Sequence, residues 1–436
     1  MNTDTAQKKM KNENKGLQKK MLRINNGNFH ISNSSSDTYD LFEKCNLYTR
    51  ADMLKKNKAY PYYIEVEGIH GSSVFMEGHP KLMLGANNYL GIANEDIIRE
   101  AAKRAVEKYG VGSTAARIVA GSFDLHSRLE NKIASFLSRE KTLIFTTGYQ
   151  TNVGTISCLI GRHDYVVVDS QAHASIVDGA HLSLGTVKRF RHNNINDLER
   201  VLSSLPKGHI LTVVDGVYSM EGDLADLPAI VSCCKKYGSK IMVDEAHGFG
   251  IFGTKGQGVA EHFGVQGDID LIVGTFSKAC GSLGGFVAGK EDVINFIKHN
   301  ARGLLFSTGM PAAALAASEA AFDNFILNGE RRRALWNNTE RLRNAFQKMG
   351  LNTGASMSPI IPIIVGEDLK TTTFWRKLYE IGIFVGAMIP PAVPPNRSLL
   401  RFSCSSNLTN EDIDFVVNSV KKVAKELGVL NDGRGT

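Results

Sequence analysis

Through the middle of the chain, short apolar runs rich in β-branched residues alternate with longer stretches whose apolar positions recur every three or four residues. The runs lie at 142–145, 165–168, 210–214, 240–243 and 271–273. Between them, 197–205 and 227–237 carry helical spacing, so the pattern predicts βαβ units and a mostly parallel sheet covered by helices. In such sheets ligands gather at the carboxyl ends of the strands, which makes the residues just after each run the first to read for chemistry.

The texture changes near residue 310. Helical patterns at 312–325 and 330–349 lead into strand-like 360–365, 383–385 and 399–403, with helical 370–381 and 410–427. A smaller α+β C-terminal domain is expected there. The reading divides the chain into a disordered basic arm at 1–40, an N-terminal segment at 41–85, a large α/β domain at 86–310 and a small domain at 311–430.

Composition changes this picture little. The 436 residues are 43% hydrophobic and 22% charged, ordinary for a folded soluble protein and enough for a large core with a second unit attached. The net charge of +7 looks like a polyanion signal, but residues 1–30 alone hold seven basic and two acidic side chains. The rest is close to balanced, so a solvated tail is expected and a nucleic-acid partner is not. That leader has no apolar h-region, and the interior has no 18-residue apolar run, so the expectation is a soluble cytoplasmic protein. Cys45, Cys158, Cys233, Cys234, Cys280 and Cys404 show no metal-like spacing and read as reduced thiols, with no metal site expected.

The chemistry lies after the strands. Lys278, in Gly274-Thr-Phe-Ser-Lys-Ala-Cys-Gly-Ser-Leu-Gly-Gly285, follows a buried run between hydroxyls and glycines. Partial desolvation there lowers an ammonium pKa and frees the amine for Schiff-base chemistry, while Thr275 and Ser277 are candidate phosphate donors. A solvated lysine in a glycine-rich loop is the alternative. An earlier run ends in Asp244, with His247 three residues on: a carboxylate for a pyridinium nitrogen and a donor for a phenolic oxygen. The same Asp-Glu-Ala-His also suits a nucleotide hydrolase, but no Gly-x-x-x-x-Gly-Lys-Ser/Thr loop precedes it. Gly148 and Tyr149 could open a helix whose N-terminus accepts phosphate, and His173 could stack on a flat ring. Each motif alone has a structural alternative; together they point to pyridoxal phosphate.

In this order, Thr-Gly-Tyr-Gln-Thr-Asn (147–152), the 169–179 and 214–223 segments, Val-Asp-Glu-Ala-His-Gly-Phe-Gly (243–250) and the Lys278 segment resemble the α-oxoamine synthase family of fold-type I pyridoxal-phosphate enzymes. The likeness runs from Leu84 to Ser403. It implies a fold-type I aminotransferase-like architecture and decarboxylative condensation of an amino acid with an acyl thioester. It also implies a Schiff base on Lys278, Asp244 on the pyridine nitrogen, His247 on the phenolic oxygen, His173 stacked on the ring and Ser219 close by. The phosphate cradle would be Gly148, Tyr149, Thr275 and Ser277, with Ser307 and Thr308 reaching from the neighbouring subunit of a homodimer. Arg401 and Asn87 would bind the substrate carboxylate, a surface salt bridge being the alternative for Arg401. Met388-Ile-Pro-Pro-Ala-Val-Pro394 and Tyr60-Pro-Tyr-Tyr-Ile-Glu65 are similar to serine palmitoyltransferase-like members, which implies L-serine, palmitoyl-CoA and a 3-ketosphinganine-type product. Residues 111–121 match no one subgroup, so a short-acyl synthase (8-amino-7-oxononanoate synthase or glycine C-acetyltransferase) and a secondary-metabolite condensing enzyme stay open. A non-catalytic partner subunit is the alternative from another class, against which the intact Lys278, Asp244 and His247 argue. A long-chain substrate would also allow the basic arm to touch a membrane surface.

Overall fold

The computed structural model describes residues 41–430 and two short strands before them. Those strands, β1 (Leu22–Asn25) and β2 (Asn28–Ile31), pair antiparallel. They fall inside the stretch expected to be a structureless arm. The remainder of 1–40 lies outside the described residues.

The strands that follow are β3 (Gly68–His70), β4 (Ser73–Met76), β5 (His79–Leu84), β6 (Lys141–Phe145), β7 (Tyr165–Asp169) and β8 (Thr186–Phe190). Then come β9 (Ile210–Asp215), β10 (Lys240–Asp244), β11 (Leu271–Thr275), β12 (Gly285–Gly289), β13 (Ile360–Gly366), β14 (Ile383–Met388) and β15 (Ser398–Ser403). Seven of them form one sheet in the order β6-β12-β11-β10-β9-β7-β8. Only β12 runs against the others.

The unbroken apolar runs have a direct cause. Successive side chains leave a strand on opposite faces, and both faces are covered. Val166, Val168, Leu211, Val213, Met242, Leu271 and Val273 pack into one buried cluster; Val167, Val214, Ile241, Val243 and Ile272 pack into the other. The helices obey local rules too. Leu227–Tyr237 begins at Asp226, whose side chain accepts from Ala229 N, carries Pro228 in its first turn and ends at Gly238 in the left-handed conformation. The helix read at 312–325 is α-helical to Ala321 and finishes in a π turn, Phe322–Ile326.

A second sheet has the order β13-β15-β14-β5-β4-β3. The N-terminal segment is therefore built into the same sheet as the C-terminal strands, through parallel pairing of β5 with β14. This union of chain ends is absent from the sequence-based division.

Candidate active site

Register places the chemistry. Asp244 sits level with Asp215 on β9 and Val273 on β11, so two carboxylates and the segment leading to Lys278 emerge side by side at the carboxyl edge. Gly285, at the start of β12, lies between Phe145 and Thr275. A cavity of about 240 Å³ opens over this edge, and its lining includes Gly148, Tyr149, His173, Asp244, His247, Thr275, Ser277 and Lys278.

The helix Gly148–Leu159 starts on Thr147, whose hydroxyl accepts from Gln150 N at 3.1 Å. Its first N–H groups have no intrahelical partner and carry the positive end of the helix dipole. A Cβ on Gly285 would lie 2.5 Å from Thr151 Oγ1 and 2.8 Å from Gly148 N, so only glycine leaves that end open. Thr275 Oγ1 donates to the Gly284 carbonyl at 2.7 Å and lies 2.9 Å from Ser277 Oγ. The proton expected on a phosphate is thus committed to the loop, and the exposed Ser277 is the hydroxyl able to turn outward.

Asp244, 5% exposed, accepts from Asn152 Nδ2 at 2.6 Å and from Ala246 N at 2.8 Å. Asp215 accepts from His173 N at 2.9 Å, and burial, then the Asp244 charge, push its carboxyl well above the usual range. Lys278 is half-buried; desolvation lowers its pKa, Asp244 opposes this and Arg401 adds to it. His247 is held well below its ordinary pKa by burial and by the charges of Lys278 and Arg401, so at neutral pH its ring is uncharged.

His247 Nδ1 lies 2.7 Å from Tyr89 OH, which in turn lies 3.4 Å from Arg401 Nη2. Arg401 is 4% exposed, and its partners are all neutral: Ser219 O at 2.5 Å, Asn87 Oδ1 at 3.0 Å, Ser403 Oγ at 2.6 Å and Tyr89. A buried guanidinium is costly unless an anion joins it. The surface salt bridge is therefore not its role in this structure. Arg401, Asn87 and Ser219 form a group beside the cavity rather than in its lining, with Tyr89 as the link.

Ser307 and Thr308 do not line this cavity either. Ser307 Oγ accepts from Gln150 Nε2 at 2.9 Å and Thr308 O from Thr146 Oγ1 at 2.8 Å, at the base of the same helix. The sequence reading also missed four site residues. Tyr89 and Asp215 end or follow strands, Ser175 is two residues past His173, and Asn152 is one helical turn after Gly148; the last spacing is the signal that places it on the cavity face.

Residues 79–420 match the model of the family described as aminotransferase class I and II. A relative named serine palmitoyltransferase from Bacteroides thetaiotaomicron is 42% identical over 391 residues, spanning 89% of this chain and 99% of its own. One named 8-amino-7-oxononanoate synthase from Geotalea daltonii is 42% identical over 368 residues, spanning 84% and 94%. A solved lysine-to-alanine variant of the serine palmitoyltransferase from S. paucimobilis, with bound PLP–myriocin aldimine, superposes with a TM-score of 0.87 at 33% identity, covering 90% of this chain and all of that one.

This chain belongs to the aminotransferase class I and II family, among its α-oxoamine synthases. The architecture is accordingly fold-type I: a mostly parallel large sheet with a smaller α+β unit. The residues present fit the family's cofactor. An open helix N-terminus kept clear by Gly285 suits a phosphate, and a buried carboxylate, a low-pKa lysine and an uncharged histidine surround space of the right kind for a flat heteroaromatic ring.

Proposed function

We propose that this protein is a pyridoxal-phosphate-dependent acyltransferase of serine palmitoyltransferase type, condensing L-serine with palmitoyl-CoA to a 3-ketosphinganine-type amino ketone, CO2 and free CoA. The observation that carries this reading is Arg401, a buried guanidinium without a carboxylate partner among the described residues, tied through Tyr89 to His247. It is a receptor for the carboxylate of an α-amino acid, one step from the reactive lysine.

When bound, pyridoxal phosphate supplies the electron sink that makes the amino acid's Cα–H acidic. Lys278 is its covalent anchor. Asp244, oriented by Asn152 and Ala246 N, would keep the pyridine nitrogen protonated, and His247 would donate to the phenolic oxygen. Gly148, Tyr149 and Ser277 would hold the phosphate, with Thr275 bracing Ser277. The Lys278 amine, its proton affinity reduced by burial, takes the Cα proton and returns one later. Arg401 and Asn87 hold the carboxylate until the acyl group has moved from sulfur to Cα and the carboxyl leaves as CO2. His173 closes the face of the ring site. Lys278, Asp244 and His247 all lie at one cavity, which speaks against a silent subunit.

The working unit in this reading is a cytoplasmic homodimer. Val111, Ile118, Val119 and Phe306 are exposed, and an Ala116–Thr308 bridge brings their two segments together. A second copy covering that face would bring Ser307 and Thr308 to its own cavity. No helix among the described residues is long and apolar enough to cross a membrane. Peripheral contact of the basic arm with acyl-bearing membranes belongs to the same reading. The test is an absorbance titration with serine, glycine and alanine, followed by palmitoyl-CoA with mass detection of products. A serine-dependent shift and a long-chain amino ketone sustain the reading; alanine alone with a short thioester would give it to 8-amino-7-oxononanoate synthase chemistry, and glycine alone with a short thioester to glycine C-acetyltransferase chemistry.

A further inference from the structure

Four side chains of the site form one continuous chain of hydrogen bonds. Asn152 Nδ2 donates to Asp244 Oδ2 at 2.6 Å and to Ser175 Oγ at 2.9 Å, and Ser175 Oγ lies 2.7 Å from His173 Nδ1. The direction of each bond follows from the chemistry. A carboxylate only accepts, so the atom of Asn152 against Asp244 is the amide nitrogen, and its second hydrogen goes to Ser175. With one lone pair engaged, the Ser175 hydroxyl has its proton free for His173 Nδ1. The backbone N–H of Ser175 points to the same nitrogen at 3.3 Å, since His173 is the N-cap of the helix Ala174–Leu182. Two donors converge on Nδ1, so Nδ1 is an acceptor.

We infer that Asn152 and Ser175 are positioning residues that lock His173 as the Nε2–H tautomer. The ring's one donor is then Nε2–H, on the side away from Ser175. The inference rests on the proposed amino-acid and thioester substrates in one respect: a carboxylate and a thioester carbonyl both present acceptor oxygens. Only the locked tautomer meets either with a hydrogen; the other would meet it with a lone pair. Asn152 and Ser175 are buried, at 2% and fully, so water does not compete for these bonds. Anchoring on Asp244 makes the same carboxylate that serves the ring nitrogen also set the histidine, much as outer hydrogen bonds set the tautomer of ligating histidines.

The experiment is nitrogen NMR of the holoenzyme labelled at histidine ring nitrogens, with His173→Gln identifying the His173 signals. The expected result is a protonated Nε2 and an unprotonated Nδ1 in wild type, a mixture of tautomers in Ser175→Ala, and restoration in Ser175→Thr, which keeps the hydroxyl. Serine affinity in Ser175→Ala should weaken by about tenfold, the worth of one hydrogen bond to a charged group. A protonated Nδ1 in wild type overturns the inference, and that spectrum decides whether or not the variants fold. An unchanged tautomer or unchanged serine affinity in a folded Ser175→Ala overturns it as well. Failure of wild type to bind serine would count against the substrate reading and leave the tautomer measurement standing.

Discussion

Replacing Arg401 by Met should erase the enzyme's ability to tell a carboxylate from its neutral analogue. In wild type the guanidinium is 4% exposed and held by four neutral groups, so its charge has no anionic partner among the described residues. A buried, hydrogen-bonded charge pair broken by truncating one side costs about 2–5 kcal/mol. The dissociation constant for serine should rise by at least about thirtyfold at the lower end of that range. The assay is an absorbance titration with L-serine and with serinamide, which lacks the carboxylate. Wild type should prefer serine strongly, whereas the Met variant should bind both with the weak affinity wild type has for serinamide. Arg401→Lys keeps the charge but cannot span Ser219 O and Asn87 together, so its preference should fall between the two. If the Met variant keeps wild-type preference for serine, the carboxylate is bound elsewhere and Arg401 is not the amino acid's receptor.

Three further outcomes follow from the same geometry. Lys278→Ala should abolish product formation and the visible band of the lysine-bound cofactor while keeping the wild-type backbone circular dichroism; a surviving wild-type band would show another anchor. Gly285→Ala would push a methyl against Thr151 Oγ1 and Gly148 N, so cofactor affinity measured by equilibrium titration should fall by about tenfold or more, with about 1–3 kcal/mol of overpacking in thermal unfolding. His192 lies between Asp169 Oδ1 at 3.0 Å and Asp223 Oδ2 at 2.9 Å; burial alone would lower its pKa, but the two carboxylates raise it to about 10. Because the folded value is raised, its stabilisation is complete below the unfolded value of about 6.5 and fades as pH climbs through about 10. The melting-temperature gap between wild type and His192→Phe should therefore be wide at pH 6 and closed above pH 10, and a gap independent of pH would mean the histidine is uncharged.

Much of the fold was legible because burial on both faces writes itself as an apolar run. β6, β7, β9, β10 and β11 were all readable for that reason, and their ends shifted by only one or two residues. β12 was not, because Gly-Phe-Val-Ala-Gly is short and its glycines read as loop; nor was β8, an edge strand whose Lys188 and Arg189 face solvent. The pairing of β5 with β14 leaves no local trace at all, since partner choice between distant strands is a tertiary property. The site divides in the same way. Lys278, Asp244, His247 and His173 declare themselves by standing just past strands. Asn152, Asp215 and Tyr89 matter through bonds to residues far along the chain, and Ser175, though only two residues from His173, takes its other bond from the distant Asn152. Thr275 was legible as a phosphate donor by type, but its proton is spent on Gly284, which only the loop's path reveals.

The joining of β5 to β14 has a consequence for how the molecule is made. A ribosome delivers β3, β4 and β5 some three hundred residues before their partner strand β14, so this hairpin region must wait, its apolar face uncovered, in the interval. The large sheet can close on its own during that interval; the second cannot. The interval before β14 emerges, rather than formation of the catalytic edge, is then the period most exposed to aggregation, and chaperone dependence should follow the loss of β14 far more than changes in the large sheet.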